Sequence, residues 1–264
     1  MPWNWSGFYF GAHAGYRWVD VDANAAAAGF PSVIPGFPGT AVFPLLPASA
    51  TFHPNSGAFG LLTGQNFVLS NPFLVGWEAD VTWGRGRAST AAFSMSNPTL
   101  GAVGSGFFST NVDWAASLRA RVGYVTGPWL VYGTFGASLQ RVTISGFGGF
   151  AGANTVCTRS FDSFGCDGFG SLSTNSSFGF SLTKTLVGAV VGTGIERLIS
   201  NNLTLRIEYL AAIYGRVDFG NVVINSSYSD NFSCNCTVNS TLIGNVSANV
   251  TTQTLRIGLA AKIP

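Results

Sequence analysis

The sequence predicts an all-β fold, an eight-stranded antiparallel up-and-down transmembrane β-barrel with four long extracellular loops. The first observation is the stretch 114–124, in which large or apolar residues alternate with small or charged residues without interruption. Side chains along a β-strand alternate between its two faces, so this stretch has an apolar face and a face that carries Arg119 and Arg121. The second observation is that only 9% of the 264 residues are charged, which is too few to cover a soluble surface.

The same alternation recurs in the segments 73–83, 203–213 and 255–263. Each segment places charged residues behind an apolar face, as in membrane barrels with a polar interior. We expect a network of charges of both signs inside the barrel, formed by Glu78, Asp80, Arg119, Arg121, Glu196, Arg206, Glu208, Arg256 and Lys262. An eight-stranded barrel is only just wide enough for side chains to fill it. The network is therefore predicted to be a structural plug, and a narrow ion channel is the alternative.

Two other classes of protein fit the sequence poorly. A helical membrane protein would use the uncharged region 23–77, but prolines between positions 31 and 54 leave no helix of about twenty residues. The formal net charge is +2, and the basic residues are scattered along the predicted strands, which argues against nucleic-acid binding. We expect one barrel domain over residues 1–264. Because no signal sequence precedes Trp3, we expect a mature form with a new initiator methionine.

The predicted strands span residues 3–20, 57–69, 73–87, 111–125, 129–144, 178–198, 203–219 and 251–263. Short connections of turn-forming residues join some of them, at 70–72, 126–128 and 200–202. Long connections alternate with these turns, near 21–56, 88–110, 145–177 and 220–250. Such alternation is typical of a bacterial outer-membrane barrel with its turns in the periplasm and its loops outside the cell. An even number of strands also places both termini in the periplasm.

Tryptophans are expected to mark the two membrane interfaces, because an indole ring is apolar with one hydrogen-bonding group. On the periplasmic side we expect Trp3, Trp5 and Trp129. On the outer side we expect Trp18, Trp83 and Trp114. The alternative is that these rings form the core of a soluble β-sandwich.

Four motifs resemble the outer-membrane β-barrel "porin family" of alphaproteobacteria, which includes the major surface proteins of the brucellae. They are WSGFYFGAHAGYRW from Trp5, LRARVGYVTGPWLVYGTFGASL from Leu118, VGAVVGTGIERLISNNLTLRIEYL from Val187, and the closing TLRIGLAAKI. The resemblance implies an eight-stranded barrel, abundant at the cell surface, with a mainly structural role. In some relatives it implies haemin binding or adhesion. Family members usually end in an aromatic residue, whereas this sequence ends in Ile263-Pro264.

The sequence offers little for catalysis. Its two histidines are His13, predicted to face inward near the middle of the membrane, and His53, in a proline-rich loop with no acid next to it in sequence. A catalytic histidine needs a partner carboxylate or serine, so we expect no enzymatic activity and no cofactor. Haem ligation by His53 is a minor alternative.

The predicted third and fourth loops each carry two cysteines, Cys157 and Cys166 in one and Cys234 and Cys236 in the other. In an oxidising compartment they are expected to form disulfides, for which three pairings are possible. Cys234 and Cys236 are too close in sequence for an unstrained bridge, which favours pairing between the loops. Zinc is the rival interpretation, but the spacing of these cysteines is not that of a usual zinc site.

Two kinds of surface contact are expected. Arg85, Arg87 and Arg141 continue the outward-facing positions beyond the outer tryptophans, where guanidinium groups suit lipopolysaccharide phosphates. Simple solvation of these arginines is the alternative. The predicted loops are unusually rich in phenylalanine, so we expect either contact between copies of the chain or rings that fold inward over the barrel mouth.

Overall fold

The computed structural model describes residues 5–27, 49–70, 72–90, 93–97, 102–158, 168–200, 202–230 and 236–263. The described segments form ten β-strands: β1 (Gly7–Ala27), β2 (Ser49–Phe52), β3 (Ser56–Ser70), β4 (Phe73–Ser89), β5 (Phe93–Asn97), β6 (Ala102–Thr126), β7 (Trp129–Thr158), β8 (Gly168–Ser200), β9 (Leu203–Asp230) and β10 (Cys236–Lys262). None of the described segments is a helix long and apolar enough to cross a membrane.

Eight of these strands close into a ring, and the predicted fold is confirmed. The order around the ring is β1, β3, β4, β6, β7, β8, β9 and β10, and β10 pairs with β1 to complete it. All of these pairings are antiparallel. The two short strands lie outside the ring, where β2 pairs with β1 and β5 pairs with β6. Closure gives every strand of the ring a partner on both sides, although β8 and β9 pair over only part of their length.

The two ends of the barrel differ in their connections. At one end, called the turn end, tight turns join β3 to β4, β6 to β7, and β8 to β9, as predicted. Gly127 has a φ of 59° in one of them, a conformation that favours glycine. At the other end, called the hairpin end, the strands continue beyond the predicted barrel.

The predicted long loops are therefore shorter than expected. In place of the loop at 145–177, β7 continues to Thr158 and β8 begins at Gly168, and the two strands pair along their whole extension. β9 and β10 likewise extend into the predicted loop at 220–250. The backbone ladder satisfies the peptide groups of these segments, and Val222, Val246 and Ala248 of the β9–β10 extension are also buried inside the barrel. The hydrophobic pattern of the sequence could not reveal these strand extensions, because the residues in them are mostly Gly, Ser, Thr and Asn.

The outer surface of the barrel is apolar, as the alternation predicts. On β6, Leu118 is 60% exposed while its neighbour Arg119 is 1% exposed and faces inward. β3, whose sequence alternates poorly, follows the same pattern in the structure, with Phe59 and Leu61 outside and Leu62 inside. Side chains on the outer face thus contact the membrane, and those on the inner face fill the barrel.

The tryptophan prediction holds on the outer surface but is wrong for Trp5. Trp18, Trp83 and Trp129 are partly exposed on the outer face. Trp5 instead lies inside the turn end, 5% exposed, where its Nε1 donates to the carbonyl oxygen of Gly127 at 3.3 Å. The indole closes the barrel mouth because it satisfies its polar group there while its ring packs against apolar neighbours. Trp3 lies outside the described residues.

The barrel interior has three layers. The turn-end cluster consists of Trp5, Leu74, Leu130, Tyr132 and Leu198. A charged layer follows in the middle. The hairpin-end core is a larger apolar cluster, which includes Val19, Val21, Phe52, Phe108, Val112, Val142, Ile144, Leu186, Leu210, Phe219 and Val250. The interior thus combines the predicted charged residues with two apolar clusters, which the sequence analysis did not predict.

Candidate functional site: the charged layer of the barrel

The charged layer is built from inward-facing residues of five strands. Four arginines face four carboxylates, all of them buried: Arg119, Arg121, Arg206 and Arg256 with Glu78, Asp80, Glu196 and Glu208. The ladder itself sets residues of opposite charge side by side in three strand pairs, Glu78↔Arg119, Glu196↔Arg206 and Glu208↔Arg256. Such cross-strand pairs of opposite charge stabilise a sheet. The layer is formally neutral.

Glu78 is the centre of the layer. Its Oε2 accepts hydrogen bonds from Arg206 Nη1 at 2.7 Å and from the hydroxyl of Tyr9 at 2.8 Å. Its Oε1 accepts from Arg119 Nη2 at 2.5 Å and from Arg206 Nη2 at 3.0 Å. Arg256 Nη2 lies 3.4 Å away. One carboxylate thus receives guanidinium groups from several walls of the barrel, and its buried charge is compensated.

Arg119 and Arg256 join the other carboxylates to this centre. Arg119 Nη2 lies 2.9 Å from Asp80 Oδ1, and its Nη1 lies 2.9 Å from Glu208 Oε1. Arg256 Nε donates to Glu208 Oε2 at 2.6 Å, and its Nη1 lies 3.2 Å from Asp80 Oδ2. Ser117 also donates its hydroxyl to Asp80 at 2.6 Å. Asp80 and Glu208 therefore each accept several bonds, which is how a buried charge remains stable in a space with little water.

Tyr9 and Tyr132 complete the charged layer, and the sequence analysis identified neither of them. The Arg121 guanidinium stacks 4.0 Å from the centre of the Tyr132 ring, and Arg121 Nη2 donates to Glu196 at 2.8 Å. The hydroxyl of Tyr132 accepts from Arg206 Nη2 at 2.9 Å. Cation–π contact and hydrogen bonding together fix these arginines. In the sequence the tyrosines are not distinguishable from the aromatic residues that face the lipid.

Buried polar groups also line the space between the charged layer and the hairpin-end core. His13 lies inside, with Nε2 3.0 Å from Thr82 Oγ1 and 3.3 Å from Arg256 Nη1. Arg17 is buried nearer the hairpin end and donates to the backbone carbonyl oxygens of Gly84 and Asp113. Its acceptors are backbone groups at a bulge of the β4–β6 ladder. Arg17 therefore satisfies carbonyls that the bulge takes out of the ladder.

The space left inside the barrel is small. A cavity of about 40 Å³ lies between the charged layer and the hairpin-end core, bordered by Arg17, Tyr214 and Arg256 among others. A second cavity, of about 20 Å³, lies at the turn end beside Trp5 and Lys262. Each volume holds one or two water molecules. A third cavity, of about 20 Å³, lies within the hairpin-end core beside Phe52 and Phe108.

Lys262 lies apart from the other members of the predicted network. It faces the inner surface near the end of β10, where it borders the small cavity at the turn end together with Trp5 and Glu196. Its aliphatic chain passes close to Gly7, since a Cβ added at Gly7 would lie 2.7 Å from Lys262 Cε. The structure thus brings together eight of the nine predicted residues in the middle of the barrel and places the ninth at its mouth.

The three arginines proposed for lipopolysaccharide contact are exposed. Arg85 lies beside the bulge of β4, and its Nε is 3.9 Å from Asp113 Oδ1 with 88% of its side chain exposed. Arg87 and Arg141 are exposed on β4 and β7. They lie on the hairpin-end side of the outer tryptophans, Trp83 and Trp114, which pair with each other across the ladder.

The environment of His53 differs from the sequence expectation. Its Nδ1 lies 2.7 Å from Oδ1 of Asp20, so an acid is adjacent in space although none is adjacent in sequence. The pairing of β2 with β1, in which Phe52 faces Val21, brings the two together. Both side chains are exposed. Among the residues that the structure describes, no group of three or more His, Cys, Asp or Glu could hold a metal ion.

The described residues include two of the four cysteines. Cys166 and Cys234 lie outside the described residues, and the backbones of Cys157 and Cys236 belong to β7 and β10. The predicted disulfides stay a prediction.

Comparison with known proteins gives relatives from two genera. The 31 kDa outer-membrane immunogenic protein of Brucella melitensis biotype 1 is 30% identical over 184 residues, which are 67% of this chain and 64% of that protein. The protein of the same name from Brucella suis biovar 1 gives the same values. The 22 kDa outer membrane protein of Rhizobium leguminosarum bv. viciae is 29% identical over 117 residues, 44% of this chain and 41% of that protein. The chain spans less than two thirds of the length of these relatives. No protein-family model matches the chain.

Solved structures resemble the chain more distantly. The outer membrane protease OmpT from Escherichia coli is 8% identical, with 97% of each chain covered and a TM-score of 0.42. Neisserial surface protein A is 16% identical, with 95% of this chain and 99% of the other covered and a TM-score of 0.36. At such TM-scores the likeness says nothing about what the chain does.

Proposed function

We propose that this chain, a relative of alphaproteobacterial outer-membrane proteins, is a structural barrel of the outer membrane that stabilises the cell envelope and displays its hairpin end to the outside. The observation that carries this proposal is the filled interior. Two apolar clusters lie on either side of a charged layer in which every carboxylate is paired. Such a barrel gives the membrane a rigid element without opening a path through it.

A conductance measurement separates this proposal from a narrow channel. The purified protein is inserted into planar bilayers, with a wide general porin as the positive control. We expect no discrete current steps at any salt concentration, because the charged layer and both apolar clusters obstruct the axis. Reproducible, salt-dependent steps from the folded protein would favour the channel instead.

Support of the envelope is tested in the bacterium. A strain that lacks the gene should become more sensitive to bile salts, and the wild-type gene should restore resistance. Unchanged sensitivity of the deletion strain would contradict the envelope role. We expect no enzymatic activity, because the relatives are named as outer-membrane proteins.

Lipopolysaccharide contact is proposed for Arg85, Arg87 and Arg141. Their exposure next to the tryptophan band supports it, since guanidinium groups pair well with phosphate oxygens. Replacement of all three by Ala should lower the amount of lipopolysaccharide that co-purifies with the barrel. Arg197→Ala, which removes an arginine stacked on Trp129 at the turn end, is the matched control. Equal co-purification of wild type and triple variant would contradict the contact.

Contact between copies is proposed for the hairpin end. Phe107 and Phe147 form an exposed ring pair with centroids 6.1 Å apart, separated from the lipid-facing surface by polar residues such as Ser145. Exposed aromatic rings away from the membrane are suited to a protein interface. Cross-linking on intact cells should give dimers or larger species for the wild type and fewer for the variant with Phe107→Ser and Phe147→Ser. Monomers alone for the wild type would refute the proposal.

Haemin binding at His53 is a second candidate function. The contact with Asp20 supports it, because a carboxylate on Nδ1 orients an imidazole to bind a metal through Nε2. Haemin titration followed by its absorbance should show binding that His53→Ala abolishes and Asp20→Asn weakens. The absence of a spectral shift with the wild type would dismiss this function.

A further inference from the structure

The barrel wall separates at one place, between β8 and β9. The β8–β9 ladder from the hairpin end stops at Phe178 and resumes at Ala189. Between these points, residues 179–188 of β8 and 214–223 of β9 do not pair with each other, although the structure describes every one of them. Each segment keeps its pairing on its other side, with β7 and with β10. We call this gap the window.

Two bulges in β9 explain the window. The β9–β10 register shifts twice, which leaves Tyr214 and Phe219 as extra residues of β9. A glycine with a positive φ follows each of them. Gly215 follows Tyr214 and has a φ of 65°, and Gly220 follows Phe219 and has a φ of 119°. A bulge bends its strand and increases the local twist. The two bulges therefore turn β9 away from β8 over the length of the window.

A single side chain crosses the window in its middle. Lys184 Nζ donates to the carbonyl oxygen of Asp218 at 2.6 Å, and these two residues occupy matching positions in the two segments. An ammonium group thus replaces a hydrogen bond of the ladder. Because one lysine side chain reaches from β8 to the backbone of β9, the separation of the two strands at this point does not exceed the length of that side chain plus one hydrogen bond. Such a separation suits one extended hydrocarbon chain better than a bulky sugar head group.

The window exposes part of the hairpin-end core. Phe180, Leu182 and Val217 border it and are partly buried against that core. On the outer surface of β8, the apolar positions end at Val187, which is 69% exposed, and polar residues follow toward the hairpin end. The window therefore begins where the lipid-facing surface ends, and apolar side chains are accessible there.

The rim of the window is cationic. Lys184 is exposed, and so is Arg141, which lies on the adjacent strand beside Thr185. The carboxylate of Asp218 is engaged by the Gly220 amide at 2.9 Å and by the Asn245 side chain at 2.9 and 3.0 Å. Arg216 of β9 is exposed as well, so this region carries three cations against the single carboxylate of Asp218, and its net charge is positive.

We propose that the window binds a single-chain anionic amphiphile of the fatty-acid type. Its carboxylate lies at Lys184 and Arg141, and its tail lies along Phe180, Leu182 and Val217. Charge complementarity selects the head group, and the width of the window selects a single chain. The position at the edge of the lipid-facing surface allows such a molecule to enter sideways from the adjoining leaflet.

The test is a binding titration with dodecanoate below its micelle concentration. The folded chain is placed in nanodiscs of zwitterionic lipid, empty nanodiscs supply the background, and calorimetry reports the dissociation constant. Dodecanol, with the same chain and no charge, and hexanoate, with the same head and a shorter chain, are the comparison ligands. We expect saturable binding of dodecanoate that is at least about tenfold tighter than binding of either comparison ligand.

Three variants make the test specific. Lys184→Met should weaken dodecanoate about tenfold and leave dodecanol within about twofold, because only the ammonium is lost. Leu182→Asn should weaken both ligands, because the tail loses apolar contact. Arg197→Met, which removes an exposed arginine stacked on Trp129 at the turn end, is the matched control and should change neither. Heat-modifiable migration on gels checks that each variant is folded.

The proposal is overturned by any of three results. One is no saturable binding of dodecanoate above the empty-disc background. Another is equal affinity of the wild type and folded Lys184→Met for dodecanoate. The third is a loss with Arg197→Met as large as that with Lys184→Met.

Discussion

Glu78 and Arg206 form a two-bond ion pair across the full width of the barrel, with N···O distances of 2.7 and 3.0 Å. Glu78 belongs to β4 and Arg206 to β9, which lie opposite each other in the ring of eight strands. A pair that joins opposite walls occupies the axis itself. The charged layer thus acts as a crosslink between distant strands, and each of the first two predictions tests a part of it.

Glu78→Gln should destabilise the barrel strongly. The amide keeps the shape of the side chain but removes the charge that several arginines share, and breaking a buried ion pair costs about 3–5 kcal/mol. Urea unfolding from lipid vesicles measures the free energy of unfolding. Asp113→Asn removes a partly exposed carboxylate near Arg85 and should cost about 1 kcal/mol or less. A loss for Glu78→Gln no larger than that of the control would show that the layer does not support the fold.

Arg119→Lys should also destabilise, although it keeps the positive charge. Arg119 contacts Glu78 and Asp80 through one nitrogen and Glu208 through another. A lysine has a single nitrogen and cannot reproduce this forked geometry. We expect a loss of about 1.5–3 kcal/mol in the same unfolding assay. Arg197→Lys at the turn end should change stability by less than about 0.5 kcal/mol, and similar values for both variants would argue against the forked contact.

Gly194→Ala should lower the free energy of unfolding of the barrel, because the added methyl group would collide with Tyr132. A Cβ at position 194 would lie 2.5 Å from Cζ and Oη of that ring, which Arg206 holds in place. Overpacking of this kind costs about 1–3 kcal/mol. Gly133→Ala is the matched control, since its nearest neighbour would be 3.8 Å away.

A double variant distinguishes this clash from a backbone effect. With Tyr132→Leu, the added methyl group should cost less than in the wild type, so that the two changes are not additive. Strict additivity would place the effect of Gly194→Ala in the backbone instead.

Disulfides between the β7–β8 and β9–β10 hairpins remain a prediction of the sequence. A bridge from Cys157 or Cys166 to Cys234 or Cys236 closes a loop of roughly seventy residues, which is worth about 4 kcal/mol in the chain-entropy model. Peptide mapping without reductant should recover peptides that join the two hairpins, and reduction should lower the unfolding midpoint. Four free thiols would contradict the prediction.

The fold was predictable from the sequence because lipid imposes a strict period of two on the barrel strands. The outer faces and all three tight turns follow from that pattern and from turn chemistry. The extension of β7 and β8 was not predictable, because a ladder with no lipid-facing side needs no hydrophobic pattern. The position of Trp5 was missed for a related reason, since an indole is equally suited to a membrane interface and to a plugged mouth.

The charged layer was predictable residue by residue but not contact by contact. Inward positions follow from alternation, and the pairing of Glu196 with Arg206 follows from the turn between their strands. The contact between Glu78 and Arg206 depends on side chains that meet across the lumen, which no local pattern encodes. Tyr214 and Phe219 likewise gave no signal for the window, although glycines follow both residues.

The long hairpin of β7 and β8 can tolerate changes of sequence at its exposed positions. Its ladder is continuous from Thr158 at one extreme to Trp129 at the other, and the side chains that pack in the barrel are those of its inward-facing residues. Selection can therefore alter the exposed residues of this hairpin, such as Phe147, without loss of folding in the membrane. The same barrel can present different surfaces in different lineages, while Glu78 and its partners stay under constraint.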